Sequence, residues 1–213
     1  MSPRLSRTEQ AGRNRALVLS AARRVFLARG YHGATLEHIA DEAGFSKGVV
    51  YSQFTGKADL FLALLEARID ERAQENARLA KEVVNGRGLA GLLDHLVRGD
   101  NATPGWLLLV IEFRVHAARD AELSRRYAAA HSRTVQAMAG VLAAISESAG
   151  DELPLAPRPL AQVMLALSAG AVLEQAADAG ALNGPDLAGL LARLLEPAAL
   201  AWPASGPAGP GES

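Results

Sequence analysis

The stretch that most constrains the fold of this chain runs from residue 35 to residue 54 and reads TLEHIADEAGFSKGVVYSQF. Its first apolar residues recur at three- and four-residue spacing, which places them on one face of a helix. Thr35 precedes them, and a threonine hydroxyl at this position accepts from an otherwise unpaired backbone N–H. Gly44 follows them, and glycine readily takes the left-handed conformation that ends a helix. The stretch therefore predicts a short helix bounded by these two residues.

A second short helix is predicted directly after the first. Phe45 supplies an apolar plug at the bend, Ser46 can cap the new helix, and the helix continues through Tyr51. A helix, a glycine-containing turn and a second short helix form the pattern of a DNA-binding helix-turn-helix. An ordinary helical hairpin has the same spacing, so the spacing alone leaves both interpretations open.

Composition favours helices along the rest of the chain. Hydrophobic residues make up 49% of the 213 residues and aromatic residues only 5%, and the apolar runs are dominated by alanine and leucine. Such residues favour helix over sheet, so we predict an all-α fold. There is no cysteine, which excludes a disulfide framework and a thiolate metal site.

The same sequence bears on the cellular compartment. The first ten residues, MSPRLSRTEQ, have no hydrophobic signal-peptide core. The apolar run at 106–111 is far shorter than the roughly 20 residues that a membrane span needs. We therefore expect a soluble cytoplasmic protein with no membrane partner.

The net charge of −1 hides an asymmetry along the chain. Up to Leu60 there are nine Lys/Arg and five Asp/Glu, a charge of +4, and the remainder holds 13 basic and 18 acidic residues, a charge of −5. A basic first part joined to an acidic body indicates that only the first part meets a polyanion. A chance fluctuation of four charges is the competing explanation.

Breaks in the apolar pattern divide the chain into segments. We expect a flexible arm at 1–12, a DNA-binding domain at 13–56, a helical body at 57–202 that begins with a linking helix at 57–84, and a disordered tail at 203–213. The predicted helices outside the two-helix motif are 13–30, 57–84, 89–97, 104–118, 120–148, 160–179 and 187–201.

Residues 13–61 resemble the DNA-binding domain of the TetR family of bacterial transcriptional regulators. The match is ordered, ungapped and nearly fifty residues long, whereas the later part resembles the family only in its layout of helices. The resembling residues are Val18, Leu19, Ala21, Ala22, Val25, Phe26, Gly30, Tyr31, Thr35, Ile39, Ala40, Ala43 to Gly48, Tyr51, Phe54, Lys57 and Leu60.

The motif supplies candidates for DNA contacts. The second helix of a helix-turn-helix lies in the major groove with its early residues on base edges. Those residues are Ser46, Lys47, Gly48 and Val49. Donors at the helix edges suit phosphates, and the resemblance implies backbone contacts there. These donors are Thr35, Tyr51 and Lys57, although the Tyr51 ring could instead pack at the core edge.

Gln53 is a further candidate, because its side-chain amide could hydrogen-bond an adenine. The family often has an aromatic residue followed by histidine at this point, whereas this chain has Ser52 and Gln53. That departure leaves base contacts at 52–53 open.

The helical body contains no convincing catalytic cluster, so we do not expect an enzyme or a cofactor. Glu112 and His116 stand at i and i+4 on one predicted helix and could share a metal ion. The sequence places no third ligand beside them, and a salt-linked pair is favoured, so no metal site is predicted.

Several large apolar residues of the body could line a cavity between helices, although each could equally pack in the core. The resemblance implies that some of them face a pocket for a small-molecule effector, which we expect to be apolar. The candidates are Trp106, Leu109, Phe113, His116, Met138, Met164 and Leu167.

The last two predicted helices are apolar on more than one side, which indicates burial on more than one side. Two such helices from each of two chains would form a four-helix bundle. The resemblance implies this mode of dimerisation, and a two-fold dimer suits a palindromic operator. The candidate interface residues are Ala166, Ala169, Gly170, Leu187, Leu191, Leu194 and Ala198.

The sequence therefore predicts an all-α, two-domain, homodimeric transcriptional repressor that a small molecule releases from double-stranded DNA. Two alternatives compete with it: an enzyme with a helical body, and a DNA-coating or partner-binding protein without an effector.

Overall fold

The computed structural model describes residues 6–83, 105–149, 153–181 and 189–190. Over these ranges every long regular element is an α-helix and no strand occurs, which confirms the predicted all-α class. The helices are α1 (Arg7–Gly33), α2 (Leu36–Ala43), α3 (Lys47–Tyr51), α4 (Lys57–Val83), α5 (Trp106–Ala117), α6 (Ala121–Ala149) and α7 (Pro157–Ala177).

Local capping sets the bounds of α2. The Thr35 hydroxyl accepts from the backbone N–H of His38 at 3.2 Å, and Gly44 ends the helix in the left-handed conformation with φ of 70°. Both predicted boundaries are confirmed. Ser46 stands at the N-cap of α3, but its side chain makes no capping hydrogen bond.

Helix α1 begins earlier than the sequence predicts. The Ser6 hydroxyl accepts from the Glu9 N–H at 3.2 Å, and the Glu9 carboxylate accepts from the Ser6 N–H at 2.7 Å. This reciprocal capping box starts the helix at Arg7, so the predicted flexible arm is wrong for residues 7–12. At the other end Gly30 leaves the helical conformation with φ of 68°, close to the predicted end.

One apolar core joins the first three helices to the body. Phe26 of α1 and Phe61 of α4 are fully buried, with ring centroids 5.2 Å apart. Phe113 of α5 stacks on Phe61 at 4.3 Å and lies edge-on to Tyr31 at 5.0 Å. Helix α1 therefore packs directly on α4 and α5, and α2 packs on α1 and contacts α3.

The helical body is layered around α6. Helix α6 packs against α4, α5 and α7, and α5 also packs against α1. The start of α6 is capped, because the Asp120 carboxylate accepts from the Leu123 N–H at 2.9 Å. Arg126 of α6 donates to Asp59 of α4 at 2.6 Å, which fixes the start of α4 on the body.

Helix α7 begins three residues before its predicted start. Pro157 occupies the first turn, where the missing N–H of proline does no harm. By length and composition alone α7 could cross a membrane, and it is the one such helix within the described residues. The predicted helices at 89–97 and 187–201 and the tail at 203–213 lie outside the described ranges, apart from residues 189–190.

Candidate nucleic-acid interface and internal cavity

The α3 surface, defined as Ser46, Lys47, Gly48 and Val49, is the exposed start of a short helix that two buried side chains anchor. Val50 is fully buried and Phe54 is 2% exposed, and both belong to the core under α1 and α2. Ser46, Lys47 and Gly48 are exposed and Val49 is half-buried. The arrangement presents the predicted base-reading residues outward on a fixed support.

Lys47 has a partner on the neighbouring helix. Its ammonium lies 3.3 Å from the Glu37 carboxylate, with side-chain exposures of 62% and 41%. An ion pair this exposed contributes little to stability, roughly 0–1 kcal/mol, and is easily exchanged. Lys47 can therefore turn to a guanine edge or a phosphate when a polyanion approaches.

Two predicted phosphate donors lie at the edges of this surface. Tyr51 is 52% exposed, so its ring does not pack at the core edge as the alternative required. The Thr35 hydroxyl accepts in the α2 cap, but a hydroxyl has a separate O–H to donate. Both groups have the exposure that a phosphate contact requires.

Gln53 does not fit the predicted adenine contact. The side chain is half-buried, its amide nitrogen donates to the Val49 carbonyl at 3.3 Å, and its amide oxygen is buried without a partner among the described residues. The amide is turned back onto α3, because the helix ends just before it. The structure therefore contradicts this assignment.

Lys57 is also placed differently from its prediction. Its ammonium donates to the carbonyls of Tyr31 at 2.8 Å, His32 at 3.2 Å and Ala34 at 3.0 Å, and it lies 4.7 Å from the centre of the Tyr31 ring. An ammonium has three N–H donors, so all three are occupied. Burial lowers the pKa of Lys57. In this structure Lys57 ties the start of α4 to the end of α1 and is not free for phosphate.

A cavity of about 310 Å³ lies between α4, α5, α6 and α7 and is called the α4–α7 cavity below. Its wall is mainly apolar, with three arginines and a few neutral polar groups. The lining residues are Leu65, Arg68, Ile69, Arg72, Ala73, Trp106, Leu107, Val110, Ile111, Arg114, Tyr127, His131, Thr134, Ala137, Met138, Gln162, Leu165, Ala166 and Ala169.

The structure divides the predicted effector-contacting residues into two groups. Trp106 and Met138 line the cavity, whereas the others do not. The residues outside the lining are Leu109, Phe113, His116, Met164 and Leu167. For Leu109 and Phe113 the reason is that both pack on the side of α5 that belongs to the core shared with α1.

Arg68 and Arg72 are lining residues that the sequence analysis missed. They follow Leu65 and Ile69 at i+3, so their apolar stems share a helix face with the apolar stripe. This three-residue spacing from the apolar stripe was the signal in the sequence that could have identified the two arginines as lining residues. Arg114 has no comparable local signal, since its position depends on how α5 packs.

The described residues include only three of the predicted dimer-interface residues. Ala166 and Ala169 line the α4–α7 cavity, while Gly170 is exposed and does not line it. Leu187, Leu191, Leu194 and Ala198 lie outside the described residues.

Glu112 and His116 take part in the junction between α5 and the end of α1. The Glu112 carboxylate accepts from the Tyr31 N–H at 2.8 Å, and the His116 ring lies 5.0 Å from the Tyr31 ring and 5.5 Å from the His32 ring. Glu112 is therefore engaged by backbone, and neither the shared-metal nor the salt-linked arrangement is present. Within the described ranges no group of three or more His, Cys, Asp or Glu could hold a metal ion.

Comparison with known proteins agrees with this architecture. Residues 18–64 match the model for bacterial regulatory proteins of the tetR family, and residues 86–199 match the C-terminal model of BetI-type transcriptional repressors. The chain is similar in fold to the transcriptional regulator FadR from Bacillus subtilis, solved in complex with stearoyl-CoA. The TM-score is 0.65 at 18% identity, over 84% of this chain and 96% of that one.

Two curated relatives, both named as transcriptional regulators, match part of the chain. The transcriptional activator FasR of Mycolicibacterium smegmatis is 46% identical over 67 residues, which cover 32% of this chain and 29% of FasR. The transcriptional repressor AcnR of Corynebacterium diphtheriae is 33% identical over 129 residues, which cover 59% of this chain and 60% of AcnR. The chain thus spans less than two thirds of either relative. The two family models together account for most of the sequence, and the chain belongs to the TetR family of bacterial regulatory proteins.

Proposed function

We propose that this protein is a transcriptional repressor that binds operator DNA through the α3 surface and is released when a small molecule occupies the α4–α7 cavity. The observation that carries the proposal is the position of α5. One side of α5 lines the cavity through Trp106 and Arg114. The other side, through Glu112 and Phe113, contacts Tyr31 at the end of α1, within the DNA-binding domain.

The DNA side of the proposal rests on exposure and donor chemistry. Lys47 and Val49 are assigned to base edges, since an ammonium can donate to guanine and valine methyls can contact a thymine methyl. Thr35 and Tyr51 are assigned to phosphates, which fix register without reading sequence. Lys57 and Gln53 are left out of the proposed contact set, because the Lys57 ammonium and the Gln53 amide nitrogen already donate to backbone carbonyls.

Coupling between the two sites follows from the shared helices. A ligand that displaces α5 by about an ångström would lengthen the 2.8 Å contact between Glu112 and the Tyr31 N–H. Helix α4 offers a second connection, because Lys57 holds the end of α1 while Leu65, Ile69 and other residues of the same helix line the cavity. Coupling energies between such sites are typically about 1–3 kcal/mol.

A homodimer completes the proposal. Val163 and Leu173 of α7 are 44% and 48% exposed, and Gly170 on the same helix is exposed as well. A partner helix that covered this apolar face would place two α3 surfaces about a two-fold axis, as a palindromic operator requires. A cytoplasmic regulator without catalytic activity is the corresponding expectation for location and class.

The test is selection of bound duplexes from a random pool with the full chain, followed by footprinting on the selected sequence. A repressor of this kind should protect one short palindromic site and lower transcription from a reporter that carries it. Uniform protection along the DNA would favour the coating alternative. Higher reporter transcription would favour an activator, as FasR is named.

Coupling is tested with Glu112→Ala in the same assays. The carboxylate does not line the cavity, so ligand affinity should stay unchanged while the ligand's effect on operator affinity shrinks. Val115→Ala on the exposed side of α5 is the matched control. An unaltered effect in Glu112→Ala would rule out α5 as the connection.

A further inference from the structure

The charge on the wall of the α4–α7 cavity is all of one sign. Three of its lining residues, Arg68, Arg72 and Arg114, carry guanidinium groups, and none of the described lining residues is an aspartate or a glutamate. The sequence alone predicts an apolar effector. The wall is mainly apolar, as such an effector requires, and it also carries positive charge.

Two of the arginines are fixed from outside the cavity. Arg68 pairs with Glu71 at 3.3 Å and Glu75 at 3.7 Å, and Arg72 pairs with Glu75 at 3.3 Å. The arginine side chains are only 17% and 12% exposed, whereas those of Glu71 and Glu75 are 62% and 40% exposed. The carboxylates therefore meet the guanidinium groups from the solvent side.

Arg114 differs from the other two arginines. Within the described residues its guanidinium has no hydrogen bond and no ion pair, although it lies on the cavity wall. It faces α6 closely: burial lowers the pKa of His131, and the Arg114 charge lowers it further. Burial also raises the pKa of Tyr127, with Arg114 opposing that change. His131 and Tyr127 are thus neutral near pH 7, and neither compensates Arg114.

We propose that the α4–α7 cavity binds an amphipathic anion, whose carboxylate or phosphate head group lies on Arg114 and whose apolar body lies against Trp106, Val110, Ile111 and Met138. This inference specifies the ligand of the proposed repressor and rests on that function only for its regulatory meaning. The volume of about 310 Å³ suits a small molecule with a single chain or ring system. Arg68 and Arg72 already pair with carboxylates, so Arg114 is the guanidinium that would repel a cation, and a neutral ligand could form no ion pair with it.

The test compares probes that share one apolar chain and differ in head group. Decanoate, decyl phosphate, decanol and decyltrimethylammonium are titrated below their micellar concentrations into the full chain without DNA, and heat of binding is measured. We expect at least one of the two anions to bind about tenfold or more tightly than decanol, because a charge-assisted hydrogen bond is gained. The cation should bind most weakly. The preferred anion distinguishes a carboxylate from a phosphate ligand.

Arg114→Gln supplies the residue-level test. It should remove most of the preference for the anion and leave the affinity for decanol unchanged. Arg125→Gln is the matched control, because Arg125 is exposed on α6, pairs with Glu122 and does not line the cavity. Decanol binding as tightly as both anions, failure of both anions to bind, or an anion preference that survives Arg114→Gln would each overturn the inference.

A separate experiment tests the regulatory role. Operator binding is measured in the presence of whichever of the two anions binds the chain more tightly. If that anion binds the wild-type chain but leaves operator affinity unchanged, the proposed release mechanism fails and the ligand class stands. If neither anion binds while the operator is still recognised, the ligand class fails and DNA-binding function stands.

Discussion

Replacing Lys57 with methionine should destabilise the protein instead of removing a phosphate contact. Methionine keeps most of the apolar stem but deletes the ammonium that holds the carbonyls of Tyr31, His32 and Ala34. Those carbonyls lie where the end of α1 meets the start of α4. Removing the ammonium therefore takes a hydrogen-bond donor away from these carbonyls at the junction between the DNA-binding domain and the helical body.

The magnitude follows from burial of the acceptors. A hydrogen bond to a charged group contributes about 1.5–3 kcal/mol. Tyr31 and Ala34 are buried at 2% and 0% exposure, whereas His32 is exposed, so two of the three bonds count. Because the ammonium is half-buried and water reaches it, we reduce the sum by about half. The expected loss in the free energy of unfolding is then about 1.5–3 kcal/mol.

Urea denaturation at neutral pH measures this loss, with Lys47→Met as the matched control. Lys47 pairs only with the exposed Glu37, so its replacement should change stability by about 0.5 kcal/mol or less. DNA binding is then compared across a salt series under conditions in which both variants are folded. Lys57→Met should leave the salt slope unchanged, whereas loss of a phosphate contact lowers it by about 1 per chain. Wild-type stability together with a reduced slope would refute the reasoning and restore Lys57 to the DNA-contacting set.

Three further predictions concern stability. Thr35→Ala should cost about 1 kcal/mol in chemical denaturation, since the α2 cap is lost, while Ser46→Ala should cost less because its hydroxyl caps nothing; equal costs would contradict the capping assignment. Phe113→Ala should cost about 3–5 kcal/mol as a cavity opens beside Phe61, and Val115→Ala at an exposed position should be nearly neutral. Arg126→Gln should lose roughly 0.2–1 kcal/mol at neutral pH. The Arg126 hydrogen bond holds the pKa of Asp59 below its ordinary value, so the difference from wild type should vanish only on acidification below about pH 4. A difference that persisted in acid would exclude this pair as its source.

Local sequence was sufficient for the DNA-binding motif. The Thr35 cap and the left-handed Gly44 of this motif were predictable, as was the Asp120 cap of α6 in the body, because each depends on backbone groups within about four residues. The buried side of α2 was equally predictable from its 3.6-residue period. The missed start of α1 was a local error, since Ser6 and Glu9 already spell a capping box in the sequence.

Other features depended on contacts between residues distant in the chain. Lys57 reaches carbonyls 23 to 26 positions away, and Glu112 meets an N–H 81 positions away. Nothing in the sequence near either residue specifies these partners. The sequence showed which residues could donate or accept, and tertiary packing chose the partner.

The cavity shows the same division. The sequence determined that α5 is apolar on more than one side, but it held no signal for which side meets α1 and which faces α4, α6 and α7. Packing placed Phe113 in the shared core, and Trp106 and Arg114 on the cavity wall. Helix period and caps are properties of a few consecutive residues. The surroundings of a side chain are set by the other helices that pack around it, so only the tertiary structure decided them.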